Sequence, residues 1–297
     1  MLFSIIIPTY NRADLLLETI RSVQNQTFED WECIIVDDGS TDNTKSIIED
    51  IMKQDSRFRY VYQENAERSA ARNNGIRNSS GEYICFLDSD DHFVVNHLEK
   101  LKAFIESQKE TICLIINQSI NVSADGEYKT NLKQPSTNHI EFLYLNPVSP
   151  SRVCVHKNIL SECKFDEDIV IVEDVILWMK IADKYPVYVS DHIGVRYNIH
   201  QDNSVNRKGN GAVKMYNGVI LAKKRYSSVF SKIPNTIYRD WMSRIITNVA
   251  YHHVLNNRRF IGILWFIRAL IMKPLHKHSR MRLNSIYKLL TFQKVEI

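Results

Sequence analysis

Two apolar runs in this chain end in clusters of carboxylates, and that placement constrains the fold more than any other feature. Residues 32–36 lead into Asp37-Asp38-Gly39-Ser40-Thr41-Asp42, and residues 82–87 lead into Asp88-Ser89-Asp90-Asp91. Short apolar runs bounded by turn residues read as buried strands. Side chains alternate along a strand with period two, so the two acids of Asp-x-Asp leave on the same side. Like charges brought together there repel, which calls for a cation or a donor between them. Hard oxygen ligands suit Mg²⁺ or Mn²⁺, ions commonly shared between a carboxylate or two and substrate phosphates. A calcium loop of the EF-hand type is excluded, because His92 and Phe93 stand where that pattern needs an acid or Asn and then Gly. A site for a nucleoside diphosphate is the first expectation.

The surrounding pattern gives the clusters a scaffold. Residues 3–7 read as a strand stopped by Pro8, and residues 14–26 as a helix through Leu16, Ile20 and Val23. After the strand at 32–36, Thr41 or Asp42 is placed to cap a helix carrying Ile47, Ile48, Ile51 and Met52. A strand at 58–62, a polar helix at 68–78, the strand at 82–87 and a helix at 95–106 follow. This β-α-β-α-β-α-β-α order over about 105 residues predicts an open parallel sheet with helices on both faces. Right-handed crossovers align the carboxyl ends of the strands, so Pro8-Thr9-Tyr10-Asn11, Asp37-Asp38 and Asp88-Ser89-Asp90 converge on one crevice. Beyond Thr111 the spacing predicts a strand at 112–116, a polar loop or hairpin at 123–138, an apolar stretch at 153–155, a helix through Ile176–Ala182 and strands at 187–189 and 193–197. From Val213 onward the chain reads as mostly helical.

Together these segments resemble the large family-two inverting glycosyltransferases with the A-type fold. The matching text is Ser4-Ile5-Ile6-Ile7-Pro8-Thr9-Tyr10-Asn11-Arg12, Val36-Asp37-Asp38-Gly39-Ser40-Thr41-Asp42, Ala71-Arg72-Asn73-Asn74-Gly75-Ile76, Gly81-Glu82-Tyr83-Ile84 and Leu87-Asp88-Ser89-Asp90-Asp91. The resemblance covers residues 3 to about 107, with a weaker match at Val172-Glu173-Asp174-Val175 and Trp178. It implies a mostly parallel, doubly wound α/β sheet with a helical C-terminal extension. Residues 1–110 would be the nucleotide-sugar-binding half, 111–212 the acceptor-binding half of the same catalytic domain, and 213–297 a basic extension.

The resemblance also implies roles. Asp38 would accept the uracil imide N–H, with Pro8 and Tyr10 around the base and Asn11 in the same donor-binding set. Asp88 would lie near the ribose and donor sugar, and Asp90 would bind the Mn²⁺ or Mg²⁺ that holds the diphosphate. Arg68 and Arg72 are candidate diphosphate or ribose contacts. Asp174 would be the general base and Glu173 would orient the acceptor or the metal surroundings, while His200 belongs to a loop that closes near the phosphates. The implied reaction moves a hexose from a nucleotide-sugar, with UDP as the first expectation, to a glycan or lipid-linked acceptor of surface polysaccharide or lipooligosaccharide synthesis.

Simpler readings stand beside these. Residues 37–42 also fit a turn with an N-cap, and Glu173-Asp174 also fits a helix cap by dipole complementarity. Trp178, one turn beyond Asp174, lines the acceptor site or packs in the core. Arg72 alone also fits an exposed helix charge. A sugar-nucleotide nucleotidyltransferase would carry a Gly-rich, Lys-containing loop after the first strand, and Pro8-Thr9-Tyr10-Asn11-Arg12 has neither residue. A non-catalytic glycan-binding or scaffold protein of the same fold would have no use for the full acid set.

Charge is unevenly distributed. Residues 257–297 hold nine Lys and Arg against the single acid Glu296, whereas the whole chain is only +4. Such a tail favours an anionic partner, and a membrane surface is the reading adopted here, with no nucleic acid. Within it, Phe260–Met272 is apolar nearly all round yet shorter than the ~20 residues of a spanning helix. It fits an interfacial helix or a helix packed on the catalytic domain or a second subunit, so a homo-oligomer stays open. The five cysteines lack CxxC spacing and sit mostly in apolar runs, which predicts buried reduced thiols. The N-terminus lacks a basic n-region, so no signal peptide is expected, and a cytoplasmic protein on the inner face of the membrane is the predicted location.

Overall fold

The computed structural model describes residues 1–135, 137–199, 210–274 and 279–291. Its first 106 residues alternate as the spacing predicts except for a short additional strand at 92–93: β1 (Phe3–Thr9), α1 (Ala13–Gln24), β2 (Trp31–Asp37), α2 (Thr44–Gln54), β3 (Phe58–Tyr62), α3 (Glu67–Asn78), β4 (Tyr83–Phe86), β5 (His92–Phe93) and α4 (His97–Glu106). There follow β6 (Leu114–Ser123), β7 (Gly126–Lys129), α5 (His139–Leu145), β8 (Val153–His156), α6 (Lys157–Glu162), α7 (Glu173–Ala182) and β9 (Val187–Asn198). The remaining helices are α8 (Gly211–Arg225), α9 (Ser227–Phe230), α10 (Asn235–Leu255), α11 (Arg259–Met272) and α12 (Ser279–Leu290).

The strands form one sheet in the order β3-β2-β1-β4-β8-β6-β9-β5, with β7 paired to β6. The ladders β1–β2, β1–β4 and β2–β3 are parallel, as expected for the first half. Beyond β4 the sheet is mixed. β8 runs antiparallel to β4 and β6, β7 antiparallel to β6 and β5 antiparallel to β9, while β6–β9 is again parallel. The two strands expected at 187–189 and 193–197 are one strand, β9, whose register against β6 shifts between Ile116 and Ser119. That irregularity interrupts the period-two pattern, which is why the sequence reads as two pieces.

Alternation along β1 assigns its neighbours. Phe3, Ile5 and Ile7 share a core with Leu16, Ile20 and Val23 of α1, Ile48 and Ile51 of α2, and Leu98, Leu101 and Ile105 of α4. Each such fully buried side chain contributes roughly 1.5–3 kcal/mol. Ile6 points the other way, against α3: a Cβ on Gly75 would lie 2.4 Å from Ile6 Cγ2, so only glycine lets the helix come this close. α3 carries little hydrophobic surface and instead buries small and polar residues, among them Ser69, Ala70, Ala71, Arg72 and Asn73. Helices therefore cover both faces, and the carboxyl ends of β1, β2, β3 and β4 share one edge. All five cysteines are free and buried.

The chain divides into two compact units, Met1–Glu167 with Glu173–His200, and Asp168–Val172 with Gln201–Ile297. In the second, α11 packs on α10 through Gly262, whose absent Cβ would meet Val254 Cγ2 at 2.6 Å, and through Phe266, which sits edge-on to Tyr251 at 5.0 Å. The strap Asp168–Val172 belongs to this unit through α8. Arg225 pairs with Asp168 at 2.8 Å, and Gly218 leaves room for Val170 and Val172. Ile171 in the strap has φ 78°, a strained value for a β-branched residue. Among the described residues, no helix is long and apolar enough to cross a membrane.

Candidate active site

The crevice is built from the loops that leave the parallel strands. At the end of β2, Asp38 N–H donates to Thr9 O at 2.9 Å, which sets the first acid beside the end of β1. Asp38 Oδ1 accepts from Gln63 Nε2 at 2.7 Å and from Ala66 N–H at 2.8 Å. Asp37 turns aside: Oδ2 accepts from Tyr60 Oη at 2.7 Å and Oδ1 from Ser40 N–H at 2.8 Å, which folds the turn. Gly39 has φ 86° with Asn65 N 2.9 Å from where a Cβ would stand, so the turn needs glycine twice over. Tyr10 follows Thr9 and is 49% exposed, while Pro8 is half-buried. Asn11, at φ 49°, clamps the two loops: its N–H donates to Ser40 Oγ at 2.9 Å and its Oδ1 accepts from Thr41 N–H at 2.8 Å.

The helix cap expected of Thr41 or Asp42 takes another form. α2 has Asn43 at its N-cap position without a side-chain bond, while Asp42 accepts from Thr44 N–H at 3.1 Å and from Ala13 N–H at 3.0 Å. One carboxylate thus serves the first turns of both α1 and α2, whose positive ends favour an anion.

At the end of β4 the acids are paired with arginines distant in sequence. Arg12 Nη1 donates to Asp90 Oδ2 at 2.9 Å. Arg72 Nη2 donates to Asp88 Oδ1 at 2.7 Å, and its Nη1 donates to Glu173 Oε1 at 3.2 Å. Arg68, one turn earlier on α3, lies 3.5 Å from the same Glu173 oxygen. Arg72 is 2% exposed and Glu173 3%, so the exposed-helix-charge reading of Arg72 does not hold. Burial works against the Arg72 charge, but Asp88 and Glu173 more than offset it and hold its pKa above the ordinary value. Arg72 Nε and Glu173 Oε2 are buried without a hydrogen-bond partner among the described residues.

Asp174 opens α7 beside Glu173 and is half-buried. Burial and the Glu173 carboxylate push its carboxyl up to about 7, against the Val175 N–H, Arg72 and Arg68. A carboxyl with that value is half-ionised near neutrality and can take up a proton. Trp178 takes the core alternative: fully buried, it donates Nε1–H to Val148 O at 3.0 Å and packs against Phe86 and Phe165.

Asp91 is fully buried. It accepts from Ser151 Oγ at 2.6 Å and Asn198 N–H at 3.0 Å, and Ser151 Oγ in turn accepts from Asp88 N–H at 3.0 Å. Burial, then the nearby Asp88, drive its carboxyl well above the ordinary range. Asp91 and Ser151 therefore brace the acidic loop. The sequence signal was there in the third acid of Asp88-Ser89-Asp90-Asp91, but nothing in it pointed to Ser151. Arg12, Gln63 and Ser151 are site residues that spacing alone did not single out. His200 lies outside the described residues.

The sequence profile described as Glycosyl transferase family 2 matches residues 4–162 of this chain. The chain belongs to that family. A glucosyltransferase of Campylobacter jejuni, named GalNAc(5)-diNAcBac-PP-undecaprenol beta-1,3-glucosyltransferase, is 29% identical over 254 residues, 84% of this chain and 82% of that protein. An uncharacterized glycosyltransferase of Rickettsia felis is 37% identical over 184 residues, 61% of this chain. The chain spans only 26% to 30% of the length of the Rickettsia relatives it matches. Among solved structures, S. aureus TarS 1-349 in complex with UDP-GlcNAc aligns over 100% of this chain and 93% of its own with a TM-score of 0.58 at 17% identity. The fold of this chain is accordingly A-type.

Among the described residues, no group of three or more His, Cys, Asp or Glu side chains is arranged to hold a metal ion. Asp88 and Asp90 are the acids that would hold such an ion, and each already faces an arginine. They fit Mg²⁺ or Mn²⁺ as a two-carboxylate set that substrate phosphates complete, provided the partly exposed Arg12 yields Asp90.

Proposed function

We propose that this family-two enzyme transfers one hexose, with inversion, from a UDP-sugar to a hydroxyl of a lipid-linked glycan in surface polysaccharide or lipooligosaccharide synthesis. The observation that carries this reading is the buried Arg72 bridge, which joins Asp88 at the donor end of the crevice to Glu173 beside the half-ionised Asp174. The undecaprenol-linked substrate in the name of the Campylobacter relative supports a lipid-linked acceptor, and the UDP complexes of TarS support the donor base.

In this mechanism Asp38, already fixed through Oδ1, accepts the uracil imide N–H on its other oxygen, with Tyr10 and Pro8 against the base and Asn11 holding the loop. Asp88 receives a ribose or sugar hydroxyl. Arg68, partly exposed at the start of α3, attracts the diphosphate together with the positive end of that helix. Asp174 takes the proton from the acceptor hydroxyl, whose oxygen forms a bond to the anomeric carbon as the bond to UDP breaks, and the electron pair leaves on the β-phosphate oxygen. Glu173, locked by Arg72, orients Asp174. A divalent cation at Asp90, Mn²⁺ or Mg²⁺, would supply charge neutralisation for the departing diphosphate. The basic tail is proposed to place the enzyme on the inner face of the membrane, near its acceptor.

Incubating the full chain with Mn²⁺ and a panel of UDP-sugars and measuring UDP release tests the reading. Release with one or two of the sugars is expected; none with any member of the panel, with or without metal, overturns it.

A further inference from the structure

α11 has two apolar faces, and among the described residues only one is packed. Gly262, Phe266 and Ala269 are buried against α10. On the opposite side Phe260 is 81% exposed, Leu264 66%, Ile267 41% and Ile271 70%. These four stand at i, i+4, i+7 and i+11, which aligns them in a single stripe about 16 Å long. A water-facing row of large apolar side chains marks a surface that something else covers. α12 repeats the pattern: Leu289 is buried while Leu283, Tyr287 and Leu290 are exposed.

Charge decides between occupants. Neither α11 nor α12 contains an acid. Arg258, Arg259 and Arg268 are exposed around the stripe, and the Arg268 guanidinium stands 5.0 Å from Trp265 and 5.3 Å from Tyr216. Lys273 and Arg282 are spent internally, on Asp240 and on Ser243. A second copy meeting this one through a two-fold axis would bring the same all-basic surface against itself, with no carboxylate on either helix to answer it. An anionic lipid surface offers both the apolar depth and the opposite charge.

We propose that the Phe260–Leu264–Ile267–Ile271 stripe of α11, ringed by Arg258, Arg259 and Arg268, is the face that this protein lays into an anionic bilayer, and that Phe266 and Ala269 are the separate face that fixes the helix on α10. The proposal rests on the membrane-facing reading of the tail and narrows it to four side chains. It also divides the two alternatives for this segment by face, because the same helix packs on protein and meets lipid.

The test uses the full chain in co-sedimentation with vesicles of phosphatidylcholine alone and of phosphatidylcholine with phosphatidylglycerol. Binding to the anionic vesicles that weakens with salt, and little to the neutral ones, is expected, since the Debye length is ~8 Å at physiological ionic strength. Phe260→Ser/Leu264→Ser/Ile271→Ser should weaken binding by at least about tenfold. Arg258→Gln/Arg259→Gln should also weaken it, and both variants should keep the wild-type melting temperature and rate of UDP release. Equal binding by the triple variant, or no preference of the full chain for anionic vesicles, overturns the proposal. So does a wild-type dimer in sedimentation velocity that the triple variant dissociates, which assigns the stripe to a second copy. Vesicle binding with no UDP release from any UDP-sugar would instead count against the transferase reading and leave the stripe's assignment standing.

Discussion

Arg72 and Glu173, 101 positions apart, form an ion pair at 3.2 Å in which both partners are almost fully buried. The remaining Arg72 nitrogen that makes a bond is 2.7 Å from Asp88. A charge removed from water to this extent is tolerated only with its partners in place, so the loop after β4 and the start of α7 are folded as one piece.

Arg72→Met leaves Asp88 and Glu173 without their counter-charge. The expected loss is ~3–5 kcal/mol of stability, the usual result of breaking a buried pair from one side. Adding Glu173→Gln to the same chain should recover part of it. Urea denaturation of both variants measures this, and additive effects of the two substitutions would show that the pair is not coupled.

Asp174→Asn should lower turnover by ~10²- to 10⁴-fold and leave UDP-sugar affinity near wild type, since the proposed role of Asp174 is to take a proton from the acceptor. Because the Asp174 carboxyl is pushed up to about 7, wild-type activity should rise with pH through that value. Stability runs the other way. A carboxyl raised above its ordinary 3.8 favours the fold when protonated, and that contribution is lost as pH climbs towards about 7. The Asn variant should therefore melt progressively higher than wild type as pH is raised from 4 to 7. Near wild-type turnover in the variant would make Asp174 a helix cap and Glu173 the next candidate.

Asp90→Ala should abolish the Mn²⁺ dependence of UDP binding, with a loss above ~3 kcal/mol in transition-state stabilisation. Arg12→Ala removes the competing cation from Asp90, so Mn²⁺ should bind more tightly. Calorimetry of Mn²⁺ and UDP with each variant distinguishes the two, and unchanged Mn²⁺-dependent UDP affinity in Asp90→Ala counts against a metal at this carboxylate.

Glu32 lies buried at the opposite end of the sheet. Burial raises its carboxyl, but Ser4 Oγ at 2.6 Å, Ser80 N–H and Arg59 outweigh it and hold the pKa below the usual value. That stability is present above the ordinary pKa and is lost as pH falls through the lowered one. Glu32→Gln should destabilise by about 1–3 kcal/mol at pH 7, with the difference shrinking in acid. A pH-independent difference in thermal melts would remove the charge from the explanation.

The sequence was most informative where local pattern and chemistry coincide. The apolar runs that become β1 to β4, and the acids at their ends, are read directly because strand period and turn chemistry act within a few residues. Partners across the fold were invisible: the bond from Arg12 to Asp90 spans 78 positions and that from Ser151 to Asp91 spans 60. The cation that the converging acids called for was expected as a bound metal, and at Asp90 the crevice supplies Arg12 instead. Arg72 read as a polar helix residue because α3 buries its charge through ion pairs that no helical periodicity encodes. The bulge in β9 disguised one strand as two. In α11 the apolar surround was legible, but which side packs and which stays bare depends on where α10 lies.

The strap Asp168–Val172 also bears on how such enzymes diversify. The polypeptide leaves the first unit, lies along α8 and only then continues into the helix that begins with Glu173 and Asp174. The C-terminal helices are thus no detachable appendix: a chimera spliced at residue 212 would pair a foreign α8 with the native strap, and the glycine gap at 218 and the Arg225–Asp168 contact would have to be matched for Asp174 to enter its helix correctly. Exchange of the C-terminal helices between relatives has to carry those five residues along, as two inseparable inserts rather than one.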